Sequence, residues 1–188
     1  SVGSDERISA VAKIIKNAKK DNQVIVVVSA MSGETNRLIN LAKSFGDNPD
    51  RREFDALIST GEKVSASLLA MALNSIGVKA KSFSASQISM KTTDHHSKAK
   101  IIDVNGEKIL STLNDDIVPI ITGFQGVTES GDVTTLGRGG SDTTAVAIAA
   151  HVNAARCDIY TDVDGIYTTD PRVVPVSYTH LTLPTSHN

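Results

Sequence analysis

The amino-acid sequence predicts an α/β domain built on a mostly parallel sheet with helices on both faces. Three observations carry this. Runs rich in β-branched residues alternate with stretches whose apolar residues recur every third or fourth position, the order expected of strands joined by crossover helices. The clearest run, "VIVVV" at 24–28, contains no polar residue, which is the pattern of a parallel strand covered on both faces. No internal repeat and no Gly/Ser/Pro-rich linker interrupts the interior, and 188 residues are ample for one domain with a core.

Asp5 to Lys20 reads as a helix. Ser4 or Asp5 can cap it, Ile8, Val11, Ala12, Ile15 and Ala18 share a face, and Lys19 and Lys20 complement the dipole at its end. After the 24–28 strand, Thr35 to Phe45 is a second helix, closed by Gly46-Asp47-Asn48-Pro49. Arg51 to Ile76 is a long helix or a helix pair. One of its stripes runs Leu57, Gly61, Val64, Leu68 and Met71, and the adjacent one runs Ile58, Glu62, Ser65, Leu69 and Ala72. Gly77 ends it, and "VKAKSF" at 78–83 alternates as a strand. Lys108 to Asp115 is a short helix. "IVPII" at 117–121 is a strand that Pro119 pushes towards an edge or a strand start. Ser141 to Val152 is the last helix and "CDIYT" at 157–161 the last strand, which would bury Cys157 as a small core residue.

Composition narrows the class. A net charge of −2 supplies no basic stripe for nucleic acid or an acidic membrane surface. No apolar run approaches the roughly 20 residues of a membrane-spanning helix, and no signal-peptide pattern opens the chain. A single cysteine cannot form an internal disulfide, so the expected setting is reducing and cytoplasmic. The chain opens Ser-Val-Gly and closes on "VSYTHLTLPTSHN", a stretch with no Lys, Arg or acidic residue. From about Val176 it is expected to be a foreign or disordered extension, leaving 1–175 as the domain.

Four stretches could carry chemistry. In Gly137-Arg138-Gly139-Gly140-Ser141-Asp142, glycines bring backbone N–H groups close to a ligand at the mouth of a helix, and Arg138 adds a planar fork for a carboxylate or phosphate. The same residues could be a turn with Ser141 or Asp142 as N-cap. The spacing matches neither a Walker P-loop nor the dinucleotide fingerprint. In Ser59-Thr60-Gly61-Glu62, Lys63 falls on a solvated face, whereas Glu62 falls among Ile58, Ser65 and Leu69. A buried carboxylate needs a partner, either an ammonium ligand or a protein group. "SAMSGETN" at 29–36 follows a strand, where open α/β sheets bind ligands; Ser29, Ser32 and Thr35 offer hydroxyls there, or the stretch is a plain connection. "IYTDVDGIYTTDPR" at 159–172 spaces Asp162 and Asp164 as a metal pair would, but Asp164-Gly165 also reads as a turn. His95 and His96 are adjacent, point apart, and read as surface residues without metal-ligand spacing. From the residues alone the ligands are a small zwitterion or anion and a phosphate-bearing molecule.

Taken together these motifs resemble the aspartate kinases of the amino-acid kinase superfamily, from Ser1 to about Pro175. "VVVSAMSGET", "STGEKVSASLLAMAL", "GFQGVTESGDVTTLGRGGSDTTAVAIAA" and "IYTDVDGIYTTDPRVVP" occur in the family's order. The resemblance implies a three-layer αβα sandwich that transfers a phosphoryl group from Mg-ATP to the β-carboxylate of L-aspartate. That step leads to lysine, threonine, methionine and diaminopimelate. By motif position, Glu62 is implied to bind the substrate ammonium and Arg138 a substrate carboxylate, with Thr35 and Ser141 holding the amino acid. Gly137, Gly139 and Gly140 are implied to lie against the phosphates, Asp142 to organise the reaction centre, and Ser29 to sit beside the nucleotide phosphates. Thr161, Asp162, Tyr167 and Arg172 match the nucleotide-binding segment. Mg2+ is implied to arrive with ATP, without a dedicated protein cage.

Family members begin with a strand and a Lys-Phe-Gly-Gly-Thr-Ser loop, of which this chain starts at the Ser, and continue past Pro175 into regulatory domains through which they assemble as homo-oligomers. The resemblance therefore implies little or no kinase activity for the chain as written. Two alternatives stay open: a non-catalytic ligand-binding or assembly fragment, and an amino-acid kinase of the glutamate type.

Overall fold

The computed structural model describes residues 5–160. In chain order they form α1 (Asp5–Ala18), β1 (Val26–Val28), α2 (Glu34–Lys43), α3 (Arg51–Ile58), α4 (Thr60–Ser75), β2 (Ala80–Phe83), β3 (Met90–Thr92), β4 (Ile101–Val104), α5 (Glu107–Asn114), β5 (Val118–Thr122), β6 (Gln125–Val127), β7 (Val133–Thr135) and α6 (Gly140–His151). The described residues up to Asp158 belong to one compact unit.

The parallel sheet runs β1-β5-β2, so the strand carrying Pro119 is central and every one of its residues is buried. The expected edge position is thus corrected, and the backbone explains how a proline fits. Val118 N–H donates to Lys79 O on the β2 side. Successive N–H groups of a strand point to opposite edges, so the missing donor of Pro119 faces β1. There it lies one residue before the paired stretch that starts with Val26 opposite Ile120. A proline at a strand start removes no ladder bond. "VIVVV", expected to be covered on both faces, instead supplies β1 beside β5, and only Val28 of the strand is fully buried.

Alternation along β5 builds two cores. Ile120 faces Ile8, Ala12 and Ile15 of α1 and Leu69 and Leu73 of α4. Ile121 faces the opposite layer, with Ile109 of α5, Ile148 of α6 and Phe83. Helices on both sides of the sheet give the αβα layering. The 51–76 stretch is a pair of helices broken at Ser59, and of its two stripes the Ile58–Glu62–Ser65–Leu69 one is buried while Val64 and Met71 are exposed. By length and composition alone, Arg51–Ser75 is apolar enough to span a membrane, contrary to the reading of the sequence. Half of its most apolar window is buried inside the protein, which is the character of a core helix.

Two further expectations change. A second, mixed sheet of order β4-β3-β6-β7 stands beside the parallel one. Its three- and four-residue strands are too short for a period-2 signal, and β6 and β7 are joined by a tight turn at Thr128–Asp132. Residues 157–160 have no secondary structure, and Cys157 is exposed rather than part of a buried strand. β-formers make a strand only against a neighbour, and among the described residues none pairs with them.

Candidate functional site

Two chain ends of the parallel sheet open the site. β1 runs into Ser29 and Ala30, and β5 into Gly123 and Phe124, with Gly123 N–H still bonded to Val28 O at 2.9 Å. A hairpin through β6 and β7 then returns the chain to Leu136, whose N–H donates to Phe124 O at 2.9 Å. Gly137 to Gly140 follow, and α6 starts. The result is a cleft of about 350 Å³ lined by Ser29, Ala30, Thr35, Glu62, Phe124 and the whole of Gly137 to Asp142. All nine site residues from the sequence that lie within the described chain meet here. Thr161, Asp162, Tyr167 and Arg172, with Asp164, lie outside the described residues.

The helix that opens on the cleft lacks a side-chain cap. Its N-cap is Gly139, at φ 75°, a left-handed conformation that glycine adopts without strain. The capping alternative for Ser141 and Asp142 is therefore corrected: both lie inside the first turn. The helix α2 begins the same way, from left-handed Gly33 at φ 80° with no side-chain cap, and it presents Thr35 to the cleft. Two helix N-termini without capping side chains favour negative charge between them.

Glu62 adds an acid to the same cleft. It sits in the first turn of α4 and is 2 % exposed. Its Oε1 accepts a hydrogen bond from Ala30 N–H at 3.1 Å, while Oε2 is buried without a partner. Burial pushes its carboxyl up to about 7, against backbone N–H groups of Glu62 and Ala30 that pull it down. Arg138, exposed on the same cleft, has no side-chain partner among the described residues. One acid without an ion-pair partner and one unpaired guanidinium thus line a single cleft, and together they complement a zwitterion.

The family model described as the amino acid kinase family matches residues 1–183. This chain belongs to that family. An aspartate kinase of Pseudomonas putida is 54 % identical over 176 residues, covering 93 % of this chain and 43 % of the relative. An aspartokinase of Geobacillus stearothermophilus is 53 % identical over 175 residues, with the same coverage of 93 % and 43 %. The chain thus spans less than half the length of the curated relatives it matches. Among solved structures, E. coli aspartokinase III in complex with aspartate and ADP superposes with a TM-score of 0.83 at 28 % identity, covering 95 % of this chain and 51 % of that one. An aspartate kinase from Synechocystis gives a TM-score of 0.76 at 46 % identity, covering 93 % of this chain and 29 % of that one. The αβα layering expected for an amino acid kinase is the one observed.

Three features in and near this cleft escaped the sequence. Phe124 packs into the cleft in a left-handed conformation, φ 70°, which is uncommon for a bulky residue. Its N–H takes a bond to Thr144 Oγ1 at 3.2 Å. The glycines flanking "FQ" at the end of an apolar strand were the available signal. The Ala30 amide carries no side-chain signature at all. His96, read as a surface residue, is part of a buried cluster: its Nδ1 lies 3.0 Å from Oδ2 of Asp55. His95 is exposed, as expected.

Gly61 explains the small residue before the acid. A Cβ there would lie 2.9 Å from Ala30 Cβ, so the backbone of α4 packs directly on the Ala30 methyl just beyond β1. Gly61→Ala gains up to about 1 kcal/mol of helix propensity but overpacks by about 1–3 kcal/mol. The expected net is a lower Tm, by roughly 2–4 °C per kcal/mol in a domain of this size, with the Ala30–Glu62 bond displaced. A thermal melt of the variant checks it, and an unchanged or higher Tm contradicts it.

Proposed function

We propose that this chain forms the L-aspartate-binding side of an aspartate kinase, an enzyme that transfers the γ-phosphoryl group of ATP to the β-carboxylate and yields 4-phospho-L-aspartate. The observation that carries the reading is the unpartnered buried Oε2 of Glu62 in one cleft with the unpaired Arg138. Aspartate holds an ammonium for the first and two carboxylates for the second. Relatives named aspartate kinase at 53–54 % identity, and a homologous structure that holds aspartate and ADP, support the same assignment.

Phosphoryl transfer asks little covalent chemistry of a protein and depends on positioning and charge neutralisation. Glu62 holds the ammonium, Arg138 the α-carboxylate, and Thr35 and Ser141 fix the orientation of the amino acid. The amides of the 137–140 loop and the N-terminus of α6 face phosphate oxygens, with Ser29 on the opposite wall. Asp142, exposed in the first turn of α6, organises the reaction centre. By their motif, Thr161, Asp162, Tyr167 and Arg172 are proposed to contact the nucleotide. Mg2+ arrives with ATP and is held by phosphates and water. On the same reading the whole enzyme works in the cytoplasm, as a homo-oligomer assembled through regions outside this chain.

Titration calorimetry with L-aspartate, L-glutamate and ATP tests the reading. L-Aspartate is expected to bind 1:1 and more tightly than L-glutamate by roughly 10- to 200-fold, the discrimination one methylene allows. Tighter glutamate binding would move the assignment to a glutamate-type kinase. Binding of neither acid overturns it.

A further inference from the structure

Asp55 lies on α3, wholly buried, and belongs to none of the motifs that line the cleft. Its carboxylate accepts from five donors. Oδ2 takes Ser97 N–H at 2.8 Å, Thr135 N–H at 3.0 Å and His96 Nδ1 at 3.0 Å. Oδ1 takes Thr135 Oγ1 at 2.8 Å and Ser97 Oγ at 3.0 Å. Five donors occupy all of the roughly four lone-pair sites of a carboxylate and more, so the acid is fully spent on protein groups.

What the five bonds hold is informative. Thr135 is the last residue of β7, two positions before Gly137. Ser97 sits at φ 66°, a left-handed conformation that costs a non-glycine residue of order 1 kcal/mol and persists only where its surroundings fix it. Its carbonyl oxygen packs against the glycine loop, 3.3 Å from the point where a Cβ on Gly137 would stand. Ala99 N–H, bonded to Thr135 O at 3.0 Å, ties the same segment to β7 a second time. Asp55 therefore grips the loop at its stem through Thr135 and at its flank through Ser97.

We propose that Asp55 is a positioning residue for the 137–140 loop, fixing where Arg138 presents its guanidinium. It touches no ligand itself, and its functional meaning rests on the reading of Arg138 as the carboxylate-holding group. Low-dielectric, fully satisfied polar clusters rigidify what they join, and a loop with two left-handed glycines, Gly137 and Gly139, has no rigidity of its own.

Amide hydrogen exchange of the chain tests the placement without any ligand. In Asp55→Ala the amides of residues 137–142 are expected to exchange at least 10-fold faster, while those of β5 and α4 keep their rates. Asp55→Asn should restore most of the protection, because its carbonyl oxygen can keep the two backbone donors while its amide donates to the hydroxyls of Ser97 and Thr135. Calorimetry should then find L-aspartate bound at least 10-fold more weakly by Asp55→Ala, with Arg138→Ala adding little on top. If Asp55→Ala does not fold, Ser97→Ala removes one hydroxyl bond and should speed the loop amides alone by about 3-fold. Loop rates unchanged in a folded variant, or raised equally in β5 and α4, overturn the proposal. A wild-type chain that binds no aspartate defeats the functional reading, and the exchange data still decide the role of Asp55.

Discussion

Glu62→Gln is expected to stabilise the empty protein above neutral pH and to remove most of its affinity for an amino acid. The sign follows from the direction of the shift. Burial raises the folded carboxyl from 4.5 to about 7. The protonated form therefore contributes its full stability below pH 4.5, and that contribution drains away as pH rises to about 7. Above that the chain bears an ionised, half-partnered carboxylate at a cost of about 3 kcal/mol. Glutamine keeps the shape and removes the titration. Urea denaturation at pH 4.5 and pH 8 should find that difference in wild type minus variant, and a flat difference would contradict it. Binding moves the other way. An ammonium that completes Oε2 makes a buried charged pair whose loss typically costs 2–5 kcal/mol, or about 30- to 3,000-fold in Kd. Because the ammonium needs the ionised acid, wild-type affinity for L-aspartate should rise between pH 6 and pH 8, and Glu62→Gln should abolish that rise.

Arg138→Ala carries the second large effect, on binding alone. The side chain is exposed on a glycine-flanked loop, so its removal should leave stability within about 0.5 kcal/mol. A charge-assisted fork on a carboxylate is worth about 1.5–3 kcal/mol, which predicts L-aspartate binding weaker by about 10- to 150-fold. Arg138→Lys should recover only part of this, since an ammonium keeps the charge and loses the two-pronged geometry. ATP serves as the internal comparison. If Arg138 holds a phosphate instead, the nucleotide affinity falls and the aspartate affinity does not.

The cleft was legible where its chemistry resides in side chains that contradict their surroundings. Glu62 falls on an apolar stripe, and Arg138 interrupts a row of glycines; both stand out in one dimension. The parallel sheet was legible where a run such as Val24 to Val28 has an unbroken pattern. Pro119 left an edge and a strand start both open because a strand's hydrogen-bonding edge is invisible to composition: the same proline is excluded or harmless according to which neighbour its missing N–H faces. The second sheet was missed because its strands of three and four residues are too short to show alternation, and its two antiparallel pairs meet only through Lys91 opposite Val127. Asp55 was missed for a different reason. Its five donors come from two segments, residues 96–97 and Thr135, and the second lies 80 residues away in the chain. Cys157 shows the converse, a strand-like local sequence that remains unpaired among the described residues.

The pairing of β1 with β5 has a kinetic consequence. Val26 meets Ile120 and Val28 meets Thr122, so this ladder closes a loop that contains α2 to α5. The neighbouring ladder, Ala80 with Val118, closes a much shorter one. Loop-closure entropy makes distant parallel pairing slow, so β2–β5 is the earlier event and β1–β5 the later. The cleft lies across the later one, with Ser29 and Ala30 on β1's side and Phe124 on β5's. Ligand binding thus requires the later pairing as well as the earlier one, since the cleft takes residues from both strands of the later ladder.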